Sequence, residues 1–185
     1  KVGQQYLVAN GRYLYIPEGV QLVNDRVTVP LSVLTEAFDA SLTWNAATGV
    51  VAVTRGSGAL TPADQYYNQD DLFWLCRIIY AESGNQPLEG MMAVGNVVLN
   101  RVNDPIYPNT IVGVLAQKNQ FTTYQSGKLA YRTPNENSVI AAKLVLDGGV
   151  VEETKGATHF DSCSNSWASR HKTCVAVIGG HRFYA

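Results

Sequence analysis

Glu82 stands where a carboxyl can become an acid. Leu72, Leu75, Cys76 and Ile79 recur at i, i+3, i+4 and i+7, the spacing of a buried helical stripe, and Glu82 falls on the same face, seven residues after Leu75 and three after Ile79. Burial without a partner disfavours the carboxylate, so a group placed this way holds its proton toward neutral pH and can serve as a general acid. Downstream, Gln117, Asn119, Gln120, Phe121, Thr122, Thr123 and Tyr124 crowd amides, hydroxyls and aromatic planes into one short segment. Such groups suit sugars, whose hydroxyls need donors and acceptors and whose apolar faces need a stacking surface. The chain has no Gly-x-Ser-x-Gly elbow, no phosphate-cradling glycine loop and no His-Glu-x-x-His helix.

The elements that must hold these residues can be read from the same periodicities. A helix over 72–83 carries Glu82 and stops at Gly84, and a second follows over 87–101 with Pro87 in its first turn. Gly90, Ala93 and Gly95 let another backbone come close, and the second helix is apolar nearly all round, which predicts the central buried helix. Asn96 and Asn100, at i and i+4 on it, need partners if buried, and structural hydrogen bonding is preferred to substrate contact. A short helical turn is expected over 111–116. Thr133-Pro134-Asn135-Glu136 reads as a capping box with Pro134 at the first helical position, opening a helix through Leu146 that ends at Gly148-Gly149. Segments 157–161 and 173–178 read as paired short strands joined by a loop running from Ser164 to Thr173, with Gly179 to Tyr184 closing the chain.

Residues 1–55 form a different block. Asn10-Gly11 splits two apolar runs and predicts a hairpin. A short strand over 26–30, a helix over 31–38 with Leu31, Leu34 and Phe38 on one side, and a second hairpin over 42–54 complete a small α+β unit. Residues 56–69 mix glycine, serine, proline and polar residues and read as a linker. The expected fold class is therefore α+β: a small N-terminal α+β module, then a mainly helical domain over 70–185 with a small β-hairpin.

A net charge of −1 and a pI near 6.3 offer no electrostatic footprint for nucleic acid or an anionic membrane surface. No run approaches 18 apolar residues, so no transmembrane segment is expected, and the opening Lys-Val-Gly-Gln-Gln implies that any export signal is already removed. Cys76 lies on the helical stripe as a buried thiol. Cys163 and Cys174 flank a polar loop that a disulfide could close, worth roughly 3 kcal/mol, which implies an extracellular setting. The alternative, zinc held by His159, Cys163, His171 and Cys174, departs from the usual ligand spacing. No metal and no cofactor is expected.

Several separated motifs carry a resemblance. Leu75-Cys76-Arg77-Ile78-Ile79-Tyr80-Ala81-Glu82, Glu89 through Arg101, Pro108-Asn109-Thr110-Ile111, Gln120-Phe121-Thr122 and Ile178 through Tyr184 resemble the spore-cortex-lytic cell-wall hydrolase family. The resemblance implies a lysozyme-like fold acting as a peptidoglycan lytic transglycosylase, secreted or wall-associated, with Glu82 as its catalytic acid and base. It implies glycan contacts at Tyr80, Gln120, Phe121, Thr122 and Tyr124. Where many members read Gly-Ala-Leu-Tyr-Phe, this chain has Gly156-Ala157-Thr158-His159-Phe160, so His159 and Phe160 mark a contact that differs, and Gly180 stands where an asparagine is common. Asn24 through Leu31 and the pieces up to Thr54 resemble the domain named after the N-terminal domain of copper amine oxidases. No histidine precedes His159, so that block is expected to act as a spacer or attachment module toward a wall or protein partner rather than as a copper site.

Other residues compete for roles. Glu89 or Asp161 could supply a second carboxylate for a hydrolytic muramidase. Glu89, in the first turn of its helix, is favourable to the helix dipole for structural reasons alone. His181 is expected to pack, Phe121 to form core or cleft wall, and Tyr107 and Tyr124 to stack on sugars or cover surface. A third reading is a wall-binding protein that binds glycan without cutting it.

Overall fold

The computed structural model describes residues 1–163 and 165–185; Ser164, the first residue of the loop expected between the two cysteines, lies outside the described residues. The chain divides into two compact units, Lys1–Tyr67 and Asn68–Ala185, and is α+β.

In the first unit β1 (Tyr6–Ala9) and β2 (Arg12–Tyr15) pair antiparallel about Asn10 (φ 49°) and Gly11 (φ 78°), the two positive angles that a tight hairpin turn demands. β3 (Gln21–Val23) and β4 (Arg26–Thr28) repeat the device at Asn24 and Asp25. α1 (Leu31–Ala37) turns the opposite way from its expected amphipathic face: Val33 and Thr35 are buried, whereas Leu31, Leu34 and Phe38 are exposed. Val33 joins Leu14, Ile16, Val20 and Leu60 in the core, so tertiary packing on the β1–β2 hairpin selects the narrower stripe. β5 (Ser41–Asn45) and β6 (Val50–Thr54) form a third hairpin. Residues 56–67, read from composition as linker, pack into this unit: Leu60 is buried, its carbonyl accepts from Asn10 Nδ2 at 2.8 Å, and α2 (Ala63–Tyr66) follows.

The second unit is built round one helix. α3 (Gln69–Ser83) starts three residues earlier than the apolar stripe suggests, because the Asn68 side chain accepts from the backbone N–H groups of Asp70 and Asp71. α4 (Leu88–Asn103) is buried continuously from Gly90 to Val98, as its apolar circumference predicts. At Gly95 a Cβ would lie 3.0 Å from Ile79 Cδ1 and 3.2 Å from Val145 Cγ2, so this glycine sets how closely the flanking helices approach. α5 (Ile111–Ala116) and α6 (Thr122–Gln125) are short. α7 (Glu136–Leu146) packs on both α3 and α4. Its cap is Asn135, not Thr133: the Asn135 side chain accepts from Ser138 N at 2.9 Å, which leaves Pro134 outside the helix. It stops as expected, with Gly148 at φ 86° and Gly149 N–H donating to Leu144 O at 2.8 Å.

β7 (His159–Asp161), α8 (Trp167–His171), β8 (Cys174–Ile178) and β9 (His181–Tyr184) complete the unit. The expected β7–β8 pairing is replaced by the order β7-β9-β8, with β9 between the two. This also separates the cysteines. Two strand spacings of about 4.8 Å each exceed a disulfide's reach. Moreover, Cys174 lies level with the His159 end of β7, whereas Cys163 lies beyond Asp161. Both thiols are free.

Candidate active site

α3 ends where its acid begins to matter. Glu82 is the last residue but one of the helix, half-buried, and lines an open polar hollow of about 460 Å³ together with Tyr80, Ala81, Gly84, Asn85, Arg132 and Asn135. Gly84 allows the hollow to form: a Cβ there would lie 2.6 Å from the Tyr80 ring and from the Tyr80 carbonyl oxygen. Asn135 closes the far side, donating from Nδ2 to Gly84 O at 2.9 Å, so the N-terminus of α7 is tied to the C-terminus of α3. Loss of water around the Glu82 carboxyl raises its pKa above the ordinary value, and the more distant positive charge of Arg132 opposes this only in part. Glu82 is the only carboxylate among the described residues lining the hollow. Glu89, in the first turn of α4, is not among them.

Gln120 is elsewhere. With His159, Phe160, Asp161, Ser166, Trp167 and Ala168 it lines a second hollow of about 410 Å³ that shares no residue with the first. The organiser is Arg101, buried at the C-terminal end of α4, roughly 21 Å along the helix from Pro87. Its Nε donates to Thr158 O at 2.7 Å and one terminal nitrogen donates to Gln120 Oε1 at 2.9 Å. Tyr107 and Phe121 lie 5.3 and 5.6 Å from the guanidinium carbon, so Tyr107 covers an arginine and the buried Phe121 is core. Asn96 donates to Gly149 O and accepts from Val151 N, and Asn100 donates to Ala157 O, which gives both asparagines the structural role expected of them. One face of α4 thus holds the chain from Gly149 to Thr158 in place. The sequence reading missed Arg101; an arginine on an otherwise apolar helix was the available signal.

In this second hollow the groups are neutral or already bonded. His159 is held down to a pKa of about 4, first by burial and then by the positive charges of Arg101 and Lys172, and its Nδ1 lies 3.0 Å from Thr158 Oγ1. Asp161 accepts from the Ser166 hydroxyl and, at 3.2 Å, from the Tyr184 hydroxyl. The Trp167 ring is 55% exposed and lies flat against His171, with centroids 4.9 Å apart and an interplanar angle of 16°. Trp167 and Asp161 join the hollow only because α8 folds back on β7. His181 packs edge-on to Phe160 at 5.6 Å. Tyr124 meets Trp74 at 5.1 Å, and Thr122 opens α6; neither lines either hollow. The sequence-predicted residues therefore divide: Tyr80 with Glu82, Gln120 with His159 and Phe160.

The loop after Glu82 is tied to the end of the chain. Gln86 Oε1 accepts from the Gly180 N–H at 2.7 Å, pinning the β8–β9 turn beside the end of α3. A third hollow, about 590 Å³, lies in the first unit on the β5–β6 hairpin. Thr43, Trp44, Asn45, Ala46, Thr48, Val50 and Ala52 line it, and none of them can titrate, so it offers no acid–base chemistry.

Comparisons with known proteins agree with this architecture. The family described as Cell Wall Hydrolase matches residues 85–184, more than half of the chain, and the Copper amine oxidase N-terminal domain matches residues 1–53. The first unit contains no histidine, and no group of three His, Cys, Asp or Glu side chains among the described residues converges to hold a metal ion. The spore cortex-lytic enzyme of Bacillus cereus is 41% identical over 121 residues, covering 63% of this chain and 45% of that protein. Its Bacillus subtilis counterpart is 36% identical over 118 residues, covering 63% of this chain and 38% of that protein. The chain thus spans less than half the length of these relatives. Among solved structures, the catalytic domain of the germination-specific lytic transglycosylase SleB from Bacillus anthracis superposes with a TM-score of 0.57 at 30% identity, over 68% of this chain and 100% of that one. The catalytic domain of SleB from Bacillus cereus gives 0.58 at 30% identity, over 70% and 100%. The chain belongs to the cell wall hydrolase family.

Proposed function

We propose that this protein is a secreted or wall-associated peptidoglycan lytic transglycosylase, cleaving between N-acetylmuramic acid and N-acetylglucosamine with Glu82 as its single acid and base. The observation that carries this reading is the Glu82 hollow: one carboxyl, half-buried, its pKa raised by lost hydration, open to a ligand and without a second carboxylate on its walls. The family match starts three residues beyond Glu82, so the assignment rests on this geometry. The solved relative from Bacillus anthracis carries the same activity in its name.

A lone carboxyl suits a reaction in which the substrate brings its own nucleophile. Protonated Glu82 gives its proton to the glycosidic oxygen as the bond to the muramoyl anomeric carbon breaks. The resulting carboxylate then takes the proton of the muramoyl 6-hydroxyl as that oxygen attacks the same carbon, which closes a 1,6-anhydro ring and regenerates the acid. Tyr80 borders the reacting carboxyl. The second hollow, with its exposed Trp167 face, the Gln120 amide and the neutral His159, supplies stacking and hydrogen bonding for a neighbouring sugar.

Mass spectrometry of fragments released from purified peptidoglycan tests the reading. Anhydromuramoyl ends, one water lighter than reducing ends, are expected. Reducing ends point to a hydrolase instead, and retained binding with no released sugar points to a wall-binding protein. The first unit, with Phe38 and Trp44 exposed, is the candidate for attachment to wall or partner protein; retention of the Glu82→Gln chain on peptidoglycan, with and without Trp44→Ala, reads that role.

A further inference from the structure

Arg132 is the cation in the Glu82 hollow that the reaction does not use. It follows the 3₁₀ turn Lys128–Tyr131, which is secured by its own backbone N–H donating to Leu129 O at 3.1 Å. The side chain is exposed and lines the hollow, and among the described residues it makes no side-chain hydrogen bond and no ion pair. Apart from Glu82, the other residues lining the hollow are neutral. An ion pair with Glu82 would hold that carboxyl ionised and spoil it as an acid. The two are kept apart, and the five N–H donors of the guanidinium remain free for a ligand, in a fork that fits a carboxylate.

Resting on the transglycosylase reading, we infer that Arg132 makes the active-site cleft select muramoyl residues that carry a free carboxylate. The disaccharide backbone of peptidoglycan is uncharged, and its anions hang from the muramoyl 3-O-lactyl group. The anion nearest the ring is the lactyl carboxylate itself where the stem peptide has been removed, or the α-carboxylate of isoglutamate where the stem remains, the stem's terminal carboxylate lying farther out. The bond cut is at the muramoyl anomeric carbon, so the muramoyl ring must lie against Glu82, and its 3-O substituent then reaches the wall of the hollow that Arg132 forms. The exposed ring of Tyr131, adjacent in the chain, offers an apolar surface to the same substituent.

The test uses the full chain and three preparations of glycan strands: stems with free isoglutamate, the same stems amidated, and strands stripped to the lactyl carboxylate. The wild type should favour at least one carboxylate-bearing preparation over the amidated one by about tenfold in kcat/KM, through KM, with a preference that fades as salt rises. Arg132→Ala should bring the ratio to about one, Arg132→Lys should keep part of it, and Arg132→Glu should reverse it. Which carboxylate strand is preferred identifies the group that Arg132 grips. Equal cleavage of all three preparations by the wild type, or an unchanged ratio in Arg132→Ala, overturns this inference alone. Cleavage of none overturns the transglycosylase reading, and binding of the same strands to the Glu82→Gln chain then decides the carboxylate preference by itself.

Discussion

The two hollows of the second unit are made in opposite ways. Around Glu82, five of the seven lining residues fall between Tyr80 and Asn85, and only Arg132 and Asn135 come from elsewhere. Around Trp167, three separated stretches meet, at Gln120, at His159 to Asp161, and at Ser166 to Ala168. The first is a helix end with its acid exposed on one side. The second exists only because Arg101 and Asn100 hold the 157–158 backbone against α4. The surroundings of the carboxyl are set locally, and the second hollow is assembled from distant stretches.

Breaking the acid should have the largest effect. Glu82→Gln is expected to lower strand cleavage by about 10³-fold or more with the fold retained, read by fragment release and circular dichroism. The same substitution should raise thermal stability slightly at neutral pH. Because the folded-state pKa of Glu82 lies above its unfolded value, the stability it contributes is present below the ordinary carboxyl range and lost as pH rises through the folded pKa. Gln abolishes that loss.

Breaking the assembly should instead cost stability first. Arg101→Ala removes two hydrogen bonds from a buried charged donor and orphans the Thr158 carbonyl, so a loss of about 3 kcal/mol is expected in denaturant unfolding. Trp167→Ala should leave the fold intact and raise KM about three- to tenfold with little change in kcat; an unchanged KM would place the glycan elsewhere. The smallest effect concerns His159. Its pKa is held down to about 4 against an ordinary 6.5, so the stability it contributes is present above pH 6.5 and is lost as pH falls toward 4. His159→Gln should flatten the pH dependence of thermal stability in that window.

Legibility in the sequence followed the same division. The helix carrying Glu82, the buried α4, the stop at Gly148-Gly149 and the turn at Asn10-Gly11 were all readable, because periodicity and turn chemistry act over a few residues. Glu82 and Gln120 line different hollows. Gln120 is bound to Arg101, and nothing in sequence spacing distinguishes one polar partner from another. The face of α1 was misread for a related reason: Leu31, Leu34 and Phe38 make the larger apolar stripe, yet Val33 meets the hairpin core.

By itself, the sequence determined that this protein has a carboxyl on an apolar helix face, next to a helix-ending glycine, in a chain with neither a nucleotide loop nor a zinc helix. Those properties depend on covalent neighbours and a 3.6-residue period. Tertiary structure alone decided that the carboxyl would stay without an acidic neighbour and face Arg132. It also placed β9 between β7 and β8, which keeps Cys163 and Cys174 apart, and it let a buried arginine gather Gln120 and His159 into a second hollow. Each of those outcomes turns on which distant backbone polar groups must be paired once α4 is buried, a requirement that arises only when the chain is packed.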